Sequence, residues 1–296
     1  LHAFMHRSRP IITDSGGFQV FSLAYGSVAD ELKGKGKKQE GGSVLKITEE
    51  GVLFRSYRDG AKVWLTPESS IRAQKELGAD IIIPFDELPP YHFPKPDLEA
   101  SLERTHRWEI RSLREHQLQR NKQAMYGVIH GGIYEDLRKK SCETLLKEDF
   151  DGFAIGGSMG KTKEEMFQLL SFTLPLLPEE KPNHLLGIGD LTSIAQCIPL
   201  GIDTFDSSYP TRSARHGIVF TKQGPINLTK AIYRLEKRPI EENCPCPTCI
   251  HFSLSYLQHL FKAKELTGLS LASVHNLSFM IRLMQEYRTN ILEDRI

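Results

Sequence analysis

The sequence predicts an α/β protein built on a (β/α)8 TIM barrel. Three observations carry that prediction. Short apolar runs read as strands buried on both faces, helical patterns separate them, and polar or glycine residues close the carboxyl end of every run. An open doubly wound sheet would gather such residues at one crevice, whereas here all six runs end that way.

In order, the strand runs are PIITDSGGF (10–18), ADIIIPFDE (79–87), AMYGVIHGG (124–132), DGFAIGG (151–157), HLLGIGD (184–190) and GIDTFDSS (201–208). The helical patterns are PESSIRAQKELG (67–78), the charged stretch 97–119 and KEEMFQLLSFTLPLL (163–177). Six strands are two short of eight, and the chain opens on Leu1 with a strand inside the first dozen residues. The expectation is an incomplete barrel whose first two βα units lie outside this chain.

Two insertions interrupt the repeat. Residues 24–66 hold a basic KGKGKKQEGG loop (33–42) and then alternating residues that read as a small antiparallel excursion. After the sixth strand come a basic turn, a hairpin over GIVFTKQGPINL and a cysteine cluster. Two packed helices close the chain, with Leu254, Leu257 and Phe261, then Leu277, Ile281 and Met284, at helical spacing. The expected organisation is a catalytic barrel region over 1–208 and a second region over 209–296.

Composition narrows the function classes. At 40% apolar and 25% charged the chain is neither disordered nor fibrous. A net charge of +1 means that any nucleic-acid partner must be met by a local basic face. No apolar run approaches the roughly eighteen residues of a membrane span, and no signal-peptide layout is present, which points to the cytoplasm and to no membrane partner.

Five cysteines is an odd count, and three of them stand in CPCPTC. Cys244, Cys246 and Cys249 form C-x-C-x2-C, and His275 follows 26 residues after the last. Three thiolates and an imidazole complete a tetrahedral zinc site with no open position, so the ion would be structural. Cys142 and Cys197, alone in helical patterns, read as small buried residues.

Three aspartates end three strands: Asp14, Asp86 and Asp206. A barrel would aim them into one pocket, and a carboxylate pair can run chemistry at an anomeric carbon, one as nucleophile and one as general acid/base. Glycines at the same rim let backbone groups approach a flat ligand edge-on, although each alone could serve a tight turn. Neither phosphate-cradling glycine motif is complete. Arg212, Arg215 and His216 follow Asp206 on a turn that would suit a polyanion such as RNA, although two arginines in a turn are more often a solvated surface.

Taken in order, TDSGGFQVFSL, PFDE, GFAIGG, LLGIGD, FDSSYPTRSARHG and C-x-C-x2-C with its histidine resemble the bacterial tRNA-guanine transglycosylases from about residue 9 onward. The resemblance implies a zinc-bearing barrel, acting as a homodimer, that exchanges the anticodon wobble guanine of tRNA for a 7-deazaguanine base. No nucleotide cofactor is implied. Asp206 would be the nucleophile and Asp14 the general acid/base. Asp14, Ser15, Gly16, Gly17, Asp86, His130 and Gly157 would surround the base, with Phe18 at the position of a stacked aromatic. Gly187, Ile188, Gly189, Asp190, Leu191, Thr192 and Ser193, with Thr211, Arg212, Ser213, Ala214 and Arg215, would grip the anticodon loop.

The sequence also departs from that pattern. Leu88 stands where many members carry a pocket cysteine, His130 where glutamine is usual, and GGSMGKT is shorter than the usual GGLAVGE, bringing Lys161 near an expected glutamate. These changes suggest that queuine is accepted in place of, or beside, the cationic aminomethyl base. The 33–42 loop could touch tRNA phosphates or be a solvated linker. Two other readings compete: a retaining barrel glycosidase, which leaves the zinc cluster unexplained, and a non-catalytic RNA-binding subunit, which would need no nucleophile.

Overall fold

The structure is a computed structural model that describes residues 1–19, 43–56, 58–90, 93–118 and 122–296. The 33–42 loop and most of the first insertion's leading half therefore lie outside the described residues. The chain divides into two compact units, one of Leu1–Leu186 with Ala195–Phe205 and one of Gly187–Ile194 with Asp206–Ile296.

The first unit is built on a six-stranded sheet: β1 (Ile12–Thr13), β5 (Ile81–Ile82), β6 (Ala124–Ile129), β7 (Gly152–Ile155), β8 (Asn183–Leu185) and β9 (Thr204–Phe205). All five neighbouring pairs are parallel, for example Ile82 beside Met125 and Ile155 beside Leu185. Strand order follows chain order without reversal. That is the progression of a barrel, and it lacks the switch point of a doubly wound sheet. The hydrogen-bonded strands are shorter than the apolar runs, because each run continues as a loop that carries its polar residues.

The helices between them begin where local chemistry allows. After a short helix α1 (His2–Met5), helix α2 (Pro67–Leu77) has Pro67 at its first turn and a capping box in which Thr66 and Ser69 satisfy each other's backbone N–H groups. Its Gln74 donates to the Ile83 carbonyl and accepts from the Ile83 N–H and the Thr13 hydroxyl, tying β1 to β5 from behind. Long helix α3 (Lys95–Leu118), α4 (Glu135–Leu145) and α5 (Lys163–Thr173) fill the later βα units. The expected antiparallel excursion is present as β2 (Val44–Ile47), β3 (Val52–Arg55) and β4 (Lys62–Leu65). It packs Val52 against Phe85 and Trp108.

In the second unit, α7 (Tyr209–Arg215) is followed by the antiparallel pair β10 (Ile218–Val219) and β11 (Ile226–Asn227), matching the expected hairpin. Helices α8 (Pro247–His251), α9 (Leu254–Ala263) and α10 (Leu266–Leu292) complete it. Two details correct the sequence reading. Arg212 and Arg215 lie on helix α7 rather than on a turn, because Pro210 sits in its first turn and presets helical φ. Leu277 and Ile281, expected on the packed stripe of α10, are 45% and 52% exposed. The face that α10 buries is instead Gly268, Ala272, His275, Asn276 and Phe279.

The physical reason is polar. Asn276 accepts from the Phe220 N–H and donates to the Pro210 and Ile218 carbonyls, and His275 reaches the thiols, so hydrogen bonding sets the helix rotation. Among the described residues, no helix is long and apolar enough to cross a membrane.

Candidate active site and metal centre

Within the first unit the loops after β1, β5, β6 and β7 converge on one carboxylate. Asp86 accepts at Oδ1 from the Ser15 hydroxyl at 3.3 Å and shares a hydrogen bond at Oδ2 with His130 Nε2 at 2.9 Å. Its neighbours are pinned from helix α3: the Phe85 N–H donates to Ser112 Oγ, the Glu87 N–H to Thr105 Oγ1, and Phe85 stacks on Trp108 at 4.9 Å. The carboxylate is thus held from both sides along its own chain and on both oxygens.

The glycines here answer to space as much as to conformation. A Cβ on Gly17 would stand 2.1 Å from Asp86 Oδ1, so any side chain would displace the carboxylate. The Gly17 N–H donates to Ser15 Oγ, and the Ser15 carbonyl accepts from Ser70 Oγ at 2.6 Å, which fixes this turn. Gly157 has φ +76, and its Cβ would meet His130 Nδ1 at 3.1 Å. Ser15, Gly17, Asp86, His130 and Gly157 therefore form one connected polar edge. Asp14 and Phe18 are exposed beside it in the chain.

Four buried side chains that sequence reasoning did not single out, Arg138, Ser141, His106 and Glu109, support this edge. Arg138, fully buried on α4, donates to the Ile129, Gly132 and Ser158 carbonyls at 2.7, 3.0 and 3.1 Å and pairs with no carboxylate among the described residues. It clamps the loop after β6 to the loop after β7. Burial lowers its guanidinium to about 10.

Ser141 accepts from the His130 N–H and bonds His106 Nε2 at 3.1 Å. Burial, with the His130 ring second, pushes that His106 imidazole down to about 4. Glu109 accepts from the Val128 N–H, and full burial raises its carboxyl well above the ordinary range. In sequence all of these sit in charged helical stretches and carry no signal.

The shortened loop after β7 also differs from its sequence reading. Glu165 Oε2 accepts from the Lys161 and Thr162 N–H groups in a capping box at the start of α5. An acid therefore stands beside Lys161 after all, supplied by the helix and spent on its cap. Leu88 is partly exposed in the loop after β5.

In the second unit Asp206 is the residue that follows β9, and its exposed carboxylate accepts from the Gly187 N–H at 2.8 Å. Gly189 lies against Ser207, where a Cβ would come within 2.8 Å. Asp190 caps the following helix α6 (Leu191–Cys197) by accepting from the Ser193 N–H and hydroxyl. Of the residues expected to grip RNA, Arg212 and Arg215 are exposed, while Ala214 and Ser193 are buried.

Farther on, Cys244, Cys246, Cys249 and His275 are all buried, and their donor atoms lie within 4.8 Å of one another. His275 Nδ1 faces the three sulfurs at 3.8, 3.6 and 3.3 Å, while its Nε2–H donates to the Phe220 carbonyl at 2.7 Å. Donors bound at about 2.0–2.3 Å around a tetrahedral ion are separated by roughly 3.5–3.8 Å. The cluster has that size, and the Phe220 carbonyl fixes the tautomer that offers Nδ1 to a metal. These four residues can hold a metal ion.

Comparison with known proteins agrees over the whole chain. The family model described as queuine tRNA-ribosyltransferase matches residues 1–296. The queuine tRNA-ribosyltransferase of Protochlamydia amoebophila (strain UWE25) is 70% identical over 296 residues, 100% of this chain and 76% of that protein. That of Chlamydia abortus (strain DSM 27085 / S26/3) is 52% identical over 297 residues, 100% of this chain and 80% of that protein. The Chlamydia pneumoniae protein of the same name is 51% identical, with the same coverage.

Proposed function

The chain belongs to the queuine tRNA-ribosyltransferase family, and on that premise we propose that it exchanges the wobble guanine of tRNA through a covalent aspartyl-ribose intermediate. It is an enzyme, a glycosyltransferase of the pentosyl class, and a tRNA-guanine transglycosylase of queuosine modification.

The observation that carries the mechanism is the Asp206 carboxylate, exposed directly after β9 and held by the Gly187 N–H. One Asp206 oxygen attacks C1′ of the nucleotide, the C1′–N9 bond breaks, and its electron pair leaves with guanine, which takes a proton from Asp14. The incoming 7-deazaguanine base then gives a proton to Asp14 and attacks C1′ from the face guanine left, releasing the carboxylate. Two inversions retain the configuration.

In this reading the connected edge of Ser15, Asp86, His130 and Gly157 recognises the flat polar side of the base, and Phe18 stacks on it. Gly187–Ser193 and Thr211–Arg215 hold the anticodon loop, whose unpaired bases splay out at low cost. Cys244, Cys246, Cys249 and His275 hold one zinc ion, which supplies a structural crosslink and no open coordination position. The incoming base is queuine or its aminomethyl precursor. The enzyme works in the cytoplasm as a homodimer, with residues 1–208 as the catalytic region and 209–296 as the anticodon-contacting and zinc-binding one.

Asp206→Asn tests the central claim. Incorporation of labelled guanine into unmodified tRNA should fall by about 10⁴-fold or more, while tRNA affinity stays within a few fold. Exchange that survives the substitution would remove Asp206 as nucleophile and return the non-catalytic RNA-binding subunit to consideration.

A further inference from the structure

We infer that Arg282 positions and neutralises the metal-bound thiolate of Cys244, so that the zinc site depends on an arginine outside its four ligands. The inference rests on the zinc reading above and concerns a residue to which that reading gives no role. Arg282 lies about two turns beyond His275 on α10, so one helix carries both an imidazole ligand and a guanidinium to the same cluster. Its Nη2 stands 3.3 Å from Cys244 Sγ and 2.9 Å from Glu241 Oε2.

Both hydrogens of that nitrogen are thereby used, one on a ligand sulfur and one on a carboxylate. Glu241 is itself fixed. Its other oxygen accepts from the Lys222 N–H at 2.8 Å, and its carbonyl accepts from the Cys244 N–H at 3.4 Å. The Glu241 side chain is 9% exposed and that of Arg282 is 29%, and the guanidinium lies over the Phe279 ring at 5.9 Å from its centroid. An arginine held by a carboxylate, a sulfur and an aromatic ring is not a freely solvated surface charge.

Electrostatics gives the contact its role. Two positive charges on a zinc ion against three thiolates leave the filled cluster with one net negative charge. All four ligands are buried, so water reaches that charge poorly. A charge-assisted hydrogen bond from the guanidinium offsets it and fixes the direction in which the sulfur presents its lone pairs. The other ligands have neutral partners: His275 Nε2–H donates to the Phe220 carbonyl, and Cys246 Sγ accepts from the Cys249 N–H at 3.4 Å. Cys244 differs in receiving a donor that carries charge.

The test uses the full chain, loaded with zinc for affinity and with cobalt(II) for spectroscopy. Arg282→Met should lower zinc affinity about ten- to hundredfold in competition with a chelator. In the cobalt form it should move the sulfur-to-cobalt charge-transfer band to lower energy, because a thiolate that loses a cationic donor gives up an electron more readily. Leu257→Val, which trims the core of the same unit without removing a hydrogen bond to the cluster, should leave that band in place. The double variant Arg282→Met/Glu241→Gln, which removes both charges of the pair, should still bind zinc about tenfold or more weakly than the wild type.

A cobalt band unmoved by Arg282→Met, or moved equally by Leu257→Val, would reduce Arg282 to a packing contact and overturn the inference. So would recovery of wild-type affinity in the double variant, since the arginine would then serve only to offset Glu241. If Arg282→Met takes up no metal, Arg282→Gln, polar but uncharged, replaces it with the same expected and overturning results. A wild-type chain that takes up neither zinc nor cobalt would be a different failure, that of the metal reading, and the role of Arg282 would fall with it.

Discussion

The Cys244/Cys246/Cys249/His275 cluster and the Asp86 cluster are both buried groups of polar side chains, yet they are closed in opposite ways. In the first, all four donor atoms point at one another, and the remaining His275 nitrogen is taken by a backbone carbonyl. Nothing is left to meet a substrate. In the second, Asp86 is held by Ser15 and His130, and glycines beside it keep one side clear of Cβ atoms. A set of donors turned inward on one another serves stability, whereas one buttressed from behind and bared in front serves recognition.

The sharpest way to break that comparison is to remove the metal. Chelation, or Cys246→Ser, should unfold the second unit, because its core contains the three cysteines themselves beside Leu254, Leu257 and Ala272. The loss should approach the ~10 kcal/mol by which structural zinc can drive folding. Circular dichroism with metal analysis checks it. A second unit that stays folded without metal would make the cluster dispensable.

The next largest effect should come from behind the recognition edge. Arg138→Met strips donors from the Ile129, Gly132 and Ser158 carbonyls, the first fully buried and the other two partly so. A destabilisation of about 4 kcal/mol is expected in urea unfolding, from several lost charge-assisted bonds at roughly 1–3 kcal/mol each. A variant as stable as the wild type would show that the two glycine loops need no clamp.

The smallest effect, and the most specific, concerns pH. His106 is pushed from 6.5 to about 4 in the folded state, so between these values the unfolded chain binds more protons. Its contribution to stability is complete above about pH 6.5 and is lost as pH falls through about 4. Over that window it amounts to about 3 kcal/mol. His106→Gln should flatten the pH dependence of unfolding between pH 7 and 4.5, and an unchanged slope would assign the acid sensitivity to other groups.

Much of this was legible in the residues. Helix 67–78 could be read because Thr66, Pro67 and Gly78 are local signals, and the structure ends that helix with Gly78 at φ +72. The metal cluster could be read because its three cysteines lie within six residues. The α10 face could not, since Leu277 and Ile281 have core-like spacing and nothing local shows that His275 and Asn276 are the residues drawn inward. Nor could Arg138, which stands in DLRKKS among charges that mark an exposed helix everywhere else.

By itself, then, the sequence determined the βα alternation, the aspartates at strand ends, the metal-ligand set and, through its ordered motifs, the family. Each of these is written in neighbouring residues, where periodicity, caps and ligand spacing act over a few turns of chain. Only the tertiary structure decided which groups hold Asp86, that Arg138 ties two loops together, that α10 turns the face carrying His275 and Asn276 inward, and that a cavity lies between Gly157 and Ser101. Those depend on side chains from elements tens of residues apart, and the balance between burial and hydrogen bonding that selects them exists only once the elements are packed.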